Sequence, residues 1–268
     1  MQKLPDTTVL QLDLAEGWLT IWLDNPKSRN AINDAMCAEL LAVMDSVRDD
    51  RSVRGITLRG KNDIFCSGGD LKSFNAMQAP GVTQAEVAKM NRGIGDVLLS
   101  LNEMPQVVIV LVEGAAIAGG LGLMCCGDVI VATEDAKFSL TETMIGIPPA
   151  QIAPFVVARV GLPMARRIML TGARFTGREA VDYGLVDHVV VSLDELDEKE
   201  AEIKRGVMKC APGAIAATKH LILSSRDKSG AEMMNHAADV FADCMLSDEG
   251  KEGITSFVEK RKPNWNKK

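Results

Sequence analysis

Val107-Val-Ile-Val-Leu-Val-Glu-Gly-Ala-Ala-Ile-Ala-Gly-Gly-Leu-Gly-Leu-Met-Cys-Cys-Gly-Asp-Val-Ile-Val-Ala132 is the stretch that decides the fold. Its first six residues form an apolar, β-branched run of strand length. Small residues from Ala115 to Gly120 and a short helical segment through Cys126 separate that run from a second strand, Val129 to Ala132. Two strands joined by a helical crossover make a βαβ unit, and the crossover length suits parallel pairing.

The same alternation extends upstream. Val9 to Leu14 and Trp18 to Leu23 read as a hairpin about the turn signal Glu16-Gly17. Asn33 is placed to cap a helix carrying Met36, Leu40, Met44 and Val47 at helical spacing, and Gly55-Ile-Thr-Leu-Arg59 reads as the next strand. Downstream of Ala150 the pattern becomes largely helical, with runs at Ile152 to Arg159, Pro163 to Leu170, Gly177 to Tyr183, Glu195 to Met208, Gly213 to Ser225 and Ala231 to Leu246. Ser247 caps a last helix ending before Pro263. The expected class is α/β, with a core over residues 1–195 and a helical region over 196–268.

A net charge of −6, with no basic block until the last residues, argues against nucleic acid or an anionic membrane as partner. The six cysteines form no C-x-x-C pair, and His188, His220 and His236 stand near none of them at ligand spacing, so neither a disulfide framework nor a metal site is expected. The N-terminus has no apolar run of signal-peptide length and no segment is long enough to span a bilayer, which makes the cytoplasm the expected location.

Two glycine-bearing loops follow strands, Phe65-Cys-Ser-Gly-Gly-Asp-Leu71 and Ala118-Gly-Gly-Leu-Gly122. Glycine lets backbone N–H groups approach a ligand, so the loops together are candidates for an oxyanion hole; each alone reads equally as a tight turn. Neither matches the spacing of a P-loop or a dinucleotide fingerprint.

Phe65 to Lys72 and Glu113 to Asp128 resemble, in order and spacing, the two signature blocks of the enoyl-CoA hydratase/isomerase (crotonase) family. Similar blocks occur at Trp22 to Ala31, Ala136 to Ser139, Leu170 to Thr176, Ala180 to Val186 and Phe257 to Pro263, so the resemblance covers nearly the whole chain. It implies a spiral of ββα units with a helical C-terminal trimerisation region, assembled as a homotrimer or dimer of trimers. It further implies an acyl-CoA substrate, with coenzyme A as part of that substrate and no separate cofactor. The positions matching the family's thioester-oxygen donors are the backbone amides of Ser67 and Gly119. Lys27, Arg29, Asp70 and Leu71 match positions that contact CoA, and Phe257 and Lys260 match positions that reach a CoA bound to a neighbouring subunit.

Family hydratases generally use two glutamates. The first matching position here is Gly122, which has no side chain to exchange a proton; the second survives as Glu142. One carboxylate suffices for hydration if burial raises its pKa and it both takes the water's proton and returns it to C2. Glu113, Asp128 and Glu134 are nearby competitors. Gly122 and the segment Gly146 to Phe155 resemble the bacterial branch acting on 3-substituted glutaconyl-CoA esters, such as 3-methylglutaconyl-CoA and isohexenylglutaconyl-CoA. The expectation is a hydratase whose acyl pocket gains room for a branch at Gly122, with Lys72 or Arg92 as a cation for a distal carboxylate. A double-bond isomerase using the same residues and a non-catalytic acyl-CoA-binding protein are the alternatives.

Overall fold

The computed structural model describes residues 3–266. In chain order, β1 (Leu10–Ala15) and β2 (Trp18–Leu23) precede α1 (Asp34–Val47), β3 (Gly55–Gly60), α2 (Leu71–Ala76) and α3 (Gln84–Asn102). Then come β4 (Val107–Val112), β5 (Ala115–Ile117), α4 (Gly119–Met124), β6 (Val129–Thr133) and β7 (Lys137–Ser139). The chain continues through α5 (Ala153–Leu170), β8 (Arg174–Thr176), α6 (Gly177–Asp182), β9 (His188–Val190), α7 (Leu193–Met208), α8 (Pro212–Ser224), α9 (Gly230–Leu246) and α10 (Asp248–Val258).

The main sheet has the order β1-β2-β3-β4-β6-β9; β1 pairs antiparallel with β2 and every later pair is parallel. A smaller sheet, β5-β7-β8, holds the segment leading into α4. β3 is buried throughout and β4 nearly so, which explains why these strands read as continuous rather than alternating apolar runs. One core cluster gathers Ile21, Leu40, Leu58, Val110 and Phe138; a smaller one beyond the sheet joins Ile109 and Val131 to Leu196 of α7.

The α/β class, the opening hairpin and the central crossover are as the periodicity implies. The expected break between Arg159 and Pro163 is a kink inside α5 at Gly161, whose φ is 73°. α3 has no counterpart among the elements expected from periodicity, although Thr83 and Glu86 close a reciprocal capping box at its start. The division at 195/196 falls inside α7, and Leu196 is fully buried against β4 and β6. Helix α7 therefore belongs to the core. α8 is also fastened to it, because Lys219 Nζ bonds the Gln106 carbonyl (3.1 Å) and Asp128 (2.6 Å).

Arg59 at the end of β3 ties three elements together, bonding Glu113 beyond β4 (3.0 Å) and Asp197 of α7 (2.6 Å). Both Arg59 and Glu113 are buried, so removal of one partner strands a charge. Arg59→Ala is expected to lower the unfolding free energy by about 3 kcal/mol, and the double replacement Arg59→Met, Glu113→Leu to recover most of it. Urea denaturation of both variants measures the difference.

Candidate active site

The first glycine loop runs from β3 to α2 and the second from β4 to α4, so parallel neighbours deliver both to the same end of the sheet. Short pairings align them: the Cys66 amide donates to Ala115 O (3.0 Å) and the Ile117 amide to Cys66 O (3.0 Å). The contact is close enough that a Cβ on Gly68 would stand 2.9 Å from the Ile117 carbonyl oxygen and 3.0 Å from Ala118 Cβ. Ala118 adopts φ 51°, ψ −120°, a strained conformation for a residue with a side chain, and its amide is fixed on Ser139 O at 2.7 Å. Immediately after this turn, the Gly119 amide stands at the first position of α4, where no intrahelical acceptor exists.

Ser67 and Gly119 line one cavity of about 170 Å³ together with Glu142. The Gly119 N–H has no acceptor among the described residues, whereas the Ser67 N–H donates to Arg29 O at 3.2 Å. The Ser67 hydroxyl donates to Ser28 O at 3.1 Å and so has a structural role. Those two carbonyls belong to the turn that carries Lys27 and Arg29, both exposed and without an ion-pair partner among the described residues. Arg29 holds φ 55°. Asp70 caps α2, accepting from the Lys72 amide (3.1 Å) and the Ser73 hydroxyl (2.8 Å), while Leu71 is exposed at the cavity.

Glu142 begins a short 3-10 helix, Glu142–Ile145, which Gly146 ends in a left-handed conformation (φ 81°). Its Oε2 is shut off from solvent without a hydrogen-bond donor among the described residues. Burial pushes its carboxyl above the ordinary glutamate range, its own amide opposing the shift in part. The competing acids are engaged elsewhere: Glu113 with Arg59, Asp128 with Lys219 and the Val108 amide, and Glu134 with Arg178.

The room expected at Gly122 is not open. Gly122 is buried, and a Cβ there would stand 2.1 Å from Cγ2 and 2.4 Å from Cβ of Ile152. Ile152 fills the space and is itself the residue that lines the cavity. Lys72 and Arg92 are both exposed and outside the cavity wall, Arg92 pairing with Asp96 at 2.6 Å. Two amides line it to which the sequence reading gives no role: Asn91, and Gln151 within the segment Gly146 to Phe155. A signal for Asn91 was present in the Thr83-x-x-Glu86 box that announces its helix; none in the sequence marks Ile152 as the occupant of the Gly122 space. Phe257, 85% exposed, and Lys260 lie at the C-terminal end of the chain, outside the cavity wall.

The paired loops, the cavity and the enclosed carboxylate form a site suited to polarising a carbonyl and moving a proton beside it. Residues 13–268 match the family described as enoyl-CoA hydratase/isomerase, and the chain belongs to that family of acyl-CoA enzymes. It is similar to the enoyl-CoA hydratase EchA19 of Mycobacterium tuberculosis, 31% identical over 248 residues, which cover 92% of each protein. Among solved structures, Pseudomonas aeruginosa AtuE is 47% identical with a TM-score of 0.93, covering 97% of this chain and 100% of that one. An enoyl-CoA hydratase/isomerase from Marinobacter aquaeolei is 37% identical with a TM-score of 0.92, covering 97% and 99%. The described residues contain no helix long and apolar enough to cross a membrane.

A glutamate whose pKa is higher folded than unfolded holds a proton in the native state that the unfolded chain has released. Stability therefore falls as pH rises from the ordinary glutamate range through the raised value. Glu142→Gln is expected to unfold at a higher temperature than the parent at neutral pH, with the gap closing below the ordinary range; thermal melts across pH test the sign. For Gly122→Leu, overpacking against Ile152 is expected to cost about 2 kcal/mol or more, and Ile152→Ala about 3 kcal/mol. Their double variant should lose less than the two together, as read from urea midpoints in a double-mutant cycle.

Proposed function

We propose that this chain is a cytoplasmic, cofactor-free hydratase that adds water to the C2–C3 double bond of a 3-substituted glutaconyl-CoA, such as 3-methylglutaconyl-CoA or isohexenylglutaconyl-CoA. The carrying observation is Glu142: a carboxylate with an enclosed, unpartnered oxygen and a raised pKa, in the same cavity as the Ser67 and Gly119 amides. A base poised nearer to working pH is what a reversible proton carrier needs.

In this reading the thioester oxygen accepts from the Ser67 and Gly119 amides. Glu142 takes a proton from water as the water oxygen bonds to C3. The electron pair of the double bond passes to the thioester, and negative charge gathers on its oxygen. Glu142 then returns the proton to C2, so the net change is one added water and a regenerated carboxylate. The Ser67 amide exchanges its 3.2 Å bond to the Arg29 carbonyl for the substrate oxygen. That exchange favours the transition state, because an enolate oxygen is a stronger acceptor than a neutral carbonyl.

Lys27 and Arg29 stand beside the Ser67 loop as cations for the phosphates of CoA, with the Asp70–Leu71 backbone beside its adenine. The apolar side chains of Phe241, Leu246, Ile254, Phe257 and Val258 are exposed on α9 and α10, which supports a homotrimer or dimer of trimers. In such an assembly Phe257 and Lys260 are available to a neighbouring subunit's CoA.

The test is product mass with 3-methylglutaconyl-CoA, isohexenylglutaconyl-CoA and crotonyl-CoA. The parent is expected to add the mass of water, fastest to a glutaconyl ester, and Glu142→Gln to be slower by about a hundredfold or more. Deuterium uptake from solvent without added water would instead mark an isomerase carrying a proton between C2 and C4. Tight binding without either change would mark a non-catalytic acyl-CoA-binding protein.

A further inference from the structure

The segment before α5 is held by two glycines on two helices. Ile152 fills the place of a side chain at Gly122 of α4, and Gln151 lies against Gly95 of α3, where a Cβ would stand 2.2 Å from its Oε1. A glycine inside a helix costs about 1 kcal/mol relative to alanine, and at Gly95 that cost makes room for the Gln151 carboxamide. The Gln151 amide donates to Asn91 Oδ1 at 2.9 Å, so the two side chains orient one another. Both line the cavity that holds Glu142.

We propose that the Asn91–Gln151 pair is the polar recognition element of the acyl cavity and binds a carboxylate carried by the acyl group. This rests on the hydratase reading above and names how that site selects its substrate. Much of the cavity wall is apolar, including Ile32, Phe74, Ile94, Ile145 and Ile147. Each primary amide has two N–H donors. Only one N–H of the pair is used between them, and the others have no acceptor among the described residues. These donors remain in whichever sense the two amides are oriented, since the internal bond consumes one N–H either way. Both residues are half-buried, so a carboxylate meeting them keeps part of its hydration, and neutral donors are adequate where a cation is absent from the wall.

The test compares two esters that differ by this group, 3-methylglutaconyl-CoA and 3-methylcrotonyl-CoA. In Asn91→Ala and Gln151→Ala the ratio of their kcat/KM values is expected to fall about ten- to hundredfold, mainly through KM of the carboxylate ester. Gln151→Glu, which puts a negative charge at the same place, should lower the ratio further. A strut that merely joined α3 to the segment before α5 would alter both esters by the same factor, and that result overturns the proposal. For a variant too slow to assay, calorimetric affinities for 3-methylglutaryl-CoA and isovaleryl-CoA provide the same comparison without turnover; a parent preference for the former that vanishes in the variants supports the proposal, and unchanged preference overturns it. If the parent hydrates 3-methylcrotonyl-CoA but not 3-methylglutaconyl-CoA, this inference fails while Glu142 hydration stands. If it hydrates none of the esters, both fail.

Discussion

Ala118 carries the constraint on which the site depends. Its φ of 51° is unfavourable for any residue with a Cβ, and it is held by the 2.7 Å bond from its amide to Ser139 and by the packing of Gly68 against its side chain. Relaxing that turn would swing the Gly119 amide away from Ser67 and separate the two loops. The parallel sheet supplies what opposes relaxation: β3 and β4 fix the roots of the loops, and β5, β7 and β8 fix the approach to α4. Strain of this kind persists because the surroundings over-determine it, and it leaves the Gly119 N–H fixed at the cavity without an acceptor among the described residues.

The chemistry around that donor is spare. Of the acids close in sequence to the second loop, Glu113 is committed to a buried pair with Arg59 of β3, Asp128 to a partly buried pair with Lys219 of α8, and Glu134 to a surface pair. Among these acids only Glu142 has an enclosed oxygen with no donor among the described residues, and burial keeps its proton affinity high. The same feature makes it a poor contributor to stability at neutral pH. Where a second acid would stand by resemblance, Gly122 and Ile152 form a complementary small-and-large pair, so the lost carboxylate is replaced by packing and not by an empty pocket.

The fold was legible where burial is continuous. Val107 to Val112 and Gly55 to Arg59 lie inside a sheet covered on both faces, so their apolar runs translate directly into strands. Helix α3 was missed although Val87, Met90, Ile94, Val97, Leu98 and Leu101 recur at helical spacing and the capping box marks its start: its buried residues Gly95, Val97, Leu98 and Leu101 cluster in its C-terminal half, and its first turns mix apolar with polar residues on an exposed surface. β9 escaped for a different reason. Three residues suffice for an edge strand when a neighbour such as β6 is already in place, and three residues carry no period.

By itself the sequence determined the class of fold, the two glycine loops and their order, and it offered Glu142 as a candidate among several acids, because these depend on local chemistry: strand-forming runs, residues without a Cβ, and titratable side chains near a matching position. Tertiary structure alone decided how those parts share space. It put Ile152 into the volume beside Gly122, turned the Ser67 amide to the Arg29 carbonyl, kept Lys72 and Arg92 out of the cavity wall, and brought Asn91 to Gln151 across a sequence separation of 60. Such contacts join residues remote in sequence through close packing, and a pattern of residue types along the chain does not encode which side chain fills which gap.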